Sequence, residues 1–305
     1  MTRNTPARAK LNLTLQILGR MPDGYHDLRS VMVCLELADQ LSVVCEDGPP
    51  EVLLRLSGAP PDVPTDDSNL VVRAARAFLG DRPLRAVFRL AKRIPAGGGL
   101  GGGSTDAAAA LRLLNLLPGL GMSSDALERL AAGLGSDVPF ALRGGTALAE
   151  GRGERLTLLP SGPPLWIALV RPPLAISTPW CYRAWDEAFL DADGRVRRAA
   201  LGPVDPDAAL AEVTAGLAEG NPRRVAAGMF NDLQAPVLRE YPHLREVPAV
   251  LRGEGCVGAL MTGSGSCFFG LAESRADARQ AVAAVRRRNL GRGWVTRTAL
   301  VPDER

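Results

Sequence analysis

The stretch Pro95–Asp106, reading PAGGGLGGGSTD, constrains this chain more than any other, with glycine at 97, 98, 99, 101, 102 and 103. Six glycines in seven positions strip the loop of side chains, so its backbone N–H groups can approach an anion closely and adopt positive φ where required. Upstream, Leu84, Ala86, Phe88 and Leu90 alternate with Arg85, Val87 and Arg89, the period of a strand. Downstream, Ala107, Ala110, Leu111, Leu114 and Leu117 recur at helical spacing until Pro118 and Gly119. Ser104, Thr105 and Asp106 are the candidate N-caps. A strand, a naked loop and a helix N-terminus in that order predict a nucleotide phosphate site.

A Walker loop needs lysine directly after its last glycine, and Gly103 is followed by Ser104. Gly97, Gly99 and Gly102 do fit a dinucleotide fingerprint. Its acidic ribose partner should end a strand about twenty residues on; the residue there, Asp125, instead opens the helical run ALERLAAGL. A flexible linker is a poorer reading, because apolar periodic elements flank the loop on both sides.

A chain of 305 residues suggests about two domains. The Pro- and Gly-rich run Pro160–Pro164 places the boundary near 160, giving 1–160 and 161–305. Net charge is only +3 and the arginines are scattered, so nothing calls for nucleic acid. Five dispersed cysteines without a C-x-x-C pair suit a reduced, cytoplasmic protein. No apolar run is long enough for a signal peptide core or a membrane span, so no membrane partner is expected. Lysine occurs only at Lys10 and Lys92, against thirty-four arginines. A position that keeps an amine where arginine is the rule suggests a need for a compact point charge, and this points to Lys10.

In chain order, residues 7–17 predict a strand with Lys10, Asn12, Thr14 and Gln16 on one face. That face is either solvated or lines a cleft. Asp23 and Gly24 form a turn presenting Tyr25 and His26, a plausible ring-recognition pair. Residues 30–46 read as strand material interrupted by turn chemistry, and DGPPEVLLRL as another hairpin-like strand. Ser68 or Asn69 caps a helix with Leu70, Ala74, Ala77 and Phe78 on its apolar face. Asp137, between a glycine turn and Val138-Pro139-Phe140, suits a partly desolvated catalytic carboxylate, with a plain N-cap or turn aspartate as the alternative. Thr178 and Pro179 start a helix bearing Tyr182 and Trp185. Gly263–Ser266 lies between two apolar runs. Strands and helices alternate irregularly in both halves, which predicts two α+β layers with a cleft between them.

Taken together, AKLNL at Lys10, DGYH at Tyr25 and His26, PAGGGLGGGSTDAA, GSDVPF at Asp137 and TGSGSC at Gly263 resemble the GHMP kinases over essentially the whole chain. The resemblance implies an α+β, two-domain GHMP kinase fold. Its N-terminal domain would resemble ribosomal protein S5 domain 2, its C-terminal domain would be ferredoxin-like, and the active site would lie in the interdomain cleft. It also implies ATP with Mg2+ and a small-molecule alcohol, cytidine diphosphate methylerythritol, handled by a monomer or weak homodimer. ATP would be held by Pro95, Ala96, Gly97, Gly98, Gly99, Leu100, Gly101, Gly102, Gly103, Ser104 and Thr105, with Asn69 toward the adenine. Asp137 would be the base and Lys10 its cationic partner. Asn12 would contact the substrate near the reacting hydroxyl, Tyr25 and His26 the cytosine, Tyr182 its other face, and Thr178 the ribose or phosphates. Trp180 and Trp185 are alternatives to Tyr182. No acidic metal ligand is obvious near the loop, which leaves Ser104 or Thr105 and water as candidates and the metal's placement open.

Overall fold

The structure, a computed structural model, describes residues 3–60, 63–191, 193–197, 201 and 204–300. The chain forms two compact units woven from discontinuous segments. The first comprises the chain up to Lys10, Leu37–Ala96 and Gly101–Gly144; the second comprises Leu11–Glu36, Gly97–Leu100 and the chain from Gly145 onward. Pro160–Pro164, where the sequence suggested a boundary, lies inside the second unit. The strand Thr146–Gly151, still before residue 160, already pairs with the early strand residues Leu28–Val33 in that unit.

In the first unit, Glu51–Ser57 does not form the expected hairpin. It runs parallel to Leu84–Ala91 with Val52 opposite Ala86 and Leu54 opposite Phe88. Parallel neighbours need a crossover, and the helix Leu70–Leu79 supplies it. Leu84–Ala91 then pairs antiparallel with Gln40–Asp47. Those residues end a single strand, His26–Asp47, where interruptions were expected. Asp39, within that strand, is fully buried and accepts hydrogen bonds from the backbone N–H groups of Arg93 and Ile94. The helix Gly102–Asn115 packs against Leu70–Leu79, and its four consecutive alanines, Ala107–Ala110, are all buried. Small side chains allow that close approach, while Phe78, Phe88, Leu111 and Leu114 fill the core around them.

In the second unit, the early part of His26–Asp47 pairs antiparallel with Thr14–Arg20 and with Thr146–Gly151. A separate four-stranded antiparallel sheet has the order Cys256–Met261, Phe268–Ala272, Trp166–Arg171, Arg292–Arg297. The helices Glu246–Gly253 and Arg275–Arg287 pack on it, in keeping with the ferredoxin-like expectation. Residues 7–17, expected as one strand, divide between Arg3–Asn12 and Thr14–Arg20. Their polar face is not solvated: Lys10, Asn12, Thr14 and Gln16 are all buried. Among the described residues no helix is long and apolar enough to cross a membrane.

Candidate active site

In the first unit the glycine loop delivers Gly101 as the N-cap of Gly102–Asn115, in the left-handed region at φ 69° and without a side-chain cap. Ser104, Thr105 and Asp106 were the expected caps and none serves. Thr105 N–H bonds Gly101 O, and Thr105 Oγ1 donates to Gly102 O at 2.9 Å. The helix thus begins three residues earlier than a cap at Ser104, the first of those candidates, would allow. Its first N–H groups are left to whatever occupies the loop, a ready anion site.

Lys10 sits beside that turn, near the end of Arg3–Asn12, with its side chain 7% exposed and Nζ 3.5 Å from Asp137 Oδ2. Asp137 occupies the N-cap position of Val138–Arg143, yet its side chain makes no capping bond. Its carboxylate is therefore available to other partners, and at 35% exposed a substrate hydroxyl can reach it. Of the sequence alternative, a plain N-cap or turn aspartate, the turn position is present and the side-chain cap is not. A Cβ added to Gly101 would lie 3.0 Å from Lys10 Cγ, 3.3 Å from Lys10 Cε and 3.7 Å from Asp137 Oδ2. Only glycine admits this left-handed turn against the amine and carboxylate together. Gly101→Ala is expected to destabilise the protein by about 1–2 kcal/mol and to lower kcat at least tenfold by displacing Lys10. Urea unfolding and steady-state kinetics check the two effects; wild-type values in both would contradict this packing.

Lys92, noted in the sequence only as the other lysine, is buried with Nζ donating to Asp39 Oδ2 at 2.5 Å and Asp106 Oδ2 at 2.7 Å. Burial pushes its pKa down, but Asp106 and Asp39 outweigh burial and hold it above the ordinary lysine value. Nothing in the local pattern at 92 announced this, because its partners come from positions 39 and 106. Asn69 caps Leu70–Leu79: Oδ1 accepts from Val71 N–H at 2.9 Å and Nδ2 donates to Pro64 O at 2.7 Å.

In the second unit, Gly97–Leu100 docks on the second glycine stretch. Cys267 N–H donates to Gly98 O, and a Cβ on Gly99 would fall 2.4 Å from Thr262 O. Asn12 is fixed here too. Its N–H donates to Thr262 Oγ1 at 3.1 Å and its Nδ2 to Ser30 Oγ at 2.8 Å. Thr178 Oγ1 lies 2.8 Å from Ser264 Oγ, joining the helix Thr178–Phe189 to the same stretch.

His26 and Tyr182 come together with ring centroids 4.7 Å apart and planes at 31°. His26 Nε2 is 2.6 Å from Asp186 Oδ1, and Trp185 meets the imidazole edge-on at 6.0 Å. Of the three aromatics considered for the cytosine, Trp185 is fully buried, Trp180 packs on Tyr241 at 5.6 Å and Tyr182 packs on His26. Tyr182 and Asp186 are four apart on one helix, a spacing that could have revealed the carboxylate. Tyr25 is more than half exposed and carries the Arg152 guanidinium 4.2 Å over its ring, while Arg152 also pairs with Asp23. Among the described residues no group of three His, Cys, Asp or Glu side chains is arranged to hold a metal.

A naked loop at a helix N-terminus, with an amine and a carboxylate beside it, suits the binding of a phosphate group next to an ionised pair. The GHMP kinases N terminal domain matches residues 69–145 and the GHMP kinases C terminal domain matches residues 213–290. The chain belongs to the GHMP kinases and is a phosphotransferase. It is 44% identical over 284 residues to the 4-diphosphocytidyl-2-C-methyl-D-erythritol kinase of Pelotomaculum thermopropionicum, covering 92% of this chain and 93% of that one. A solved 4-(cytidine 5'-diphospho)-2C-methyl-D-erythritol kinase superposes with a TM-score of 0.76 at 37% identity, covering 97% of this chain and 99% of the other. The L. major mevalonate kinase superposes equally well, at 0.77 over 98% and 97%, but at 15% identity it shares the fold alone.

Proposed function

We propose that this chain transfers the γ-phosphoryl group of ATP to the 2-hydroxyl of 4-diphosphocytidyl-2-C-methyl-D-erythritol, giving the 2-phosphate and ADP, a step of the non-mevalonate route to isoprenoid precursors. The observation that carries the chemistry is the Lys10–Asp137 pair packed against Gly101, where the phosphate loop becomes a helix. The acceptor rests on the high-coverage likeness to kinases of that substrate. The hydroxyl proton passes to Asp137 as its oxygen forms the bond to the γ-phosphorus. The bond from that phosphorus to the β,γ-bridging oxygen breaks, and ADP departs. Lys10 holds the carboxylate in place and offsets charge on the transferred group. Mg2+ would accompany the nucleotide and offset phosphate charge, relying on substrate phosphates and water because no carboxylate cluster among the described residues is arranged to hold it.

In this reading cytosine lies against Tyr182 and Tyr25, with His26 held by Asp186 at its edge, and the protein works in the cytoplasm. Asn12 and Thr178 lie toward the acceptor. Asn69 supports the nucleotide end through its helix cap, because its amide is already committed there.

An assay coupled to ADP release, run with this acceptor and with homoserine and mevalonate, tests the assignment. Turnover is expected with the cytidine substrate alone. Tyr182→Ala is expected to raise KM for that substrate about tenfold, in line with roughly 1–3 kcal/mol per stacked base, and to leave KM for ATP unchanged. ATP binding without turnover on any acceptor would reduce the chain to a nucleotide-binding module.

A further inference from the structure

A buried charge cluster lies beneath the first turn of the loop helix, and the transfer step does not use it. Asp39 comes from the middle of His26–Asp47, Lys92 follows Leu84–Ala91, and Asp106 is one turn into Gly102–Asn115. The two carboxylates differ. Asp39 takes donors on both oxygens: the Arg93 and Ile94 N–H groups on Oδ1 and Lys92 on Oδ2. Asp106 has Lys92 on Oδ2, but its Oδ1 is buried without a partner. Asp39 is therefore the better host for a negative charge.

Burial raises the Asp106 pKa; Lys92 opposes that rise and the Asp39 charge adds to it, leaving Asp106 at about 8. Among the described residues, Lys92 and Asp39 are the charged groups acting on it. With both aspartates ionised the cluster is one charge negative; with a proton on Asp106 it is neutral. Gly102 opens the helix, and a Cβ there would lie 3.4 Å from Lys92 Nζ. A polyanion on the loop thus faces this cluster across little more than one turn of backbone, in an interior where charges are poorly screened.

We propose that the Asp39–Lys92–Asp106 cluster regulates the charge beneath the phosphate loop: binding of the nucleotide is coupled to uptake of up to one solvent proton by the Asp106 carboxylate, the fraction set by how much of it is ionised beforehand. The proposal rests on the reading of Pro95–Thr105 as a nucleotide phosphate loop. The proton comes from water or buffer acid and forms an O–H bond on Asp106; no other bond changes. The phosphates favour the neutral cluster, so Asp106 holds its proton more tightly in the complex than in the free protein. Affinity is then greatest where free Asp106 is already protonated, and it falls as pH rises past that point.

The test is the Kd for ATP and ADP, measured by titration calorimetry between about pH 7 and about pH 9, for the wild type and Asp106→Asn. Asparagine keeps the shape and the Lys92–Asp39 pair but cannot ionise. The wild type is expected to weaken three- to tenfold across this range, about a decade per pH unit at most, and the variant less than about twofold. Near pH 8, titrations in two buffers of different ionisation enthalpy should report uptake of about half a proton in the wild type that the variant lacks. A flat wild-type profile, or equal slopes and equal proton uptake in both proteins, overturns the proposal. If neither protein binds nucleotide at any pH, the phosphate-loop reading falls and the coupling falls with it.

Discussion

Asp137→Asn is expected to lower kcat by about a hundred- to ten-thousandfold, the range of a positioned general base, with little change in stability. Asparagine retains the shape but cannot take the hydroxyl proton, and the native carboxylate makes no capping bond to lose. KM for ATP should stay within about twofold, because the proposed nucleotide contacts are backbone N–H groups of the loop rather than this side chain. Rapid-quench or coupled kinetics measure the effect, and circular dichroism with urea unfolding controls for folding. A variant that turns over at the wild-type rate would remove Asp137 as the base.

Lys92→Met is expected to have the largest effect on stability. Methionine fills similar space but leaves Asp39 and Asp106 buried together without their shared cation. Removing one partner from a buried ionic cluster costs about 3–5 kcal/mol. A second change, Asp106→Asn, should recover part of that loss, since Asp39 still has two backbone donors. The sign with pH is equally definite. Because Lys92 is held above the ordinary lysine value, its contribution is fully present below that value and disappears as pH climbs through the raised one. Urea midpoints of the single and double variants at constant pH provide the measurement; an unchanged midpoint for Lys92→Met would contradict the cluster.

Much of this arrangement was legible in the sequence because it is local. The strand Leu84–Ala91, the helix after the loop, the helix Ser124–Leu134 and the start at Thr178 all follow from apolar spacing and flanking caps. What escaped depends on partners far apart in the chain. Residues 30–46 read as an interrupted strand, and only the fold brings Lys92, Arg93 and Ile94 around the buried Asp39 within it. Glu51–Ser57 reads as a hairpin arm until a helix is found between it and its parallel neighbour. The loop helix begins at a left-handed glycine rather than a hydroxyl cap, since the cap expected here is a ligand. Tyr25 and His26 are adjacent in sequence but differ in surroundings: one lies under Arg152, the other against Tyr182 and Asp186. Tyr25 lies in the turn just before the strand that His26 opens, so adjacency along the chain did not give the two rings the same surroundings.

Both lysines are interior, so the exposed basic side chains of the described surface are guanidinium groups, apart from histidine. Guanidinium does not release its proton in the range where proteins survive. The outer positive shell therefore behaves as a fixed background against alkali. Among the groups left to respond on the basic side is the buried Asp106 carboxylate beneath the first turn of the loop helix.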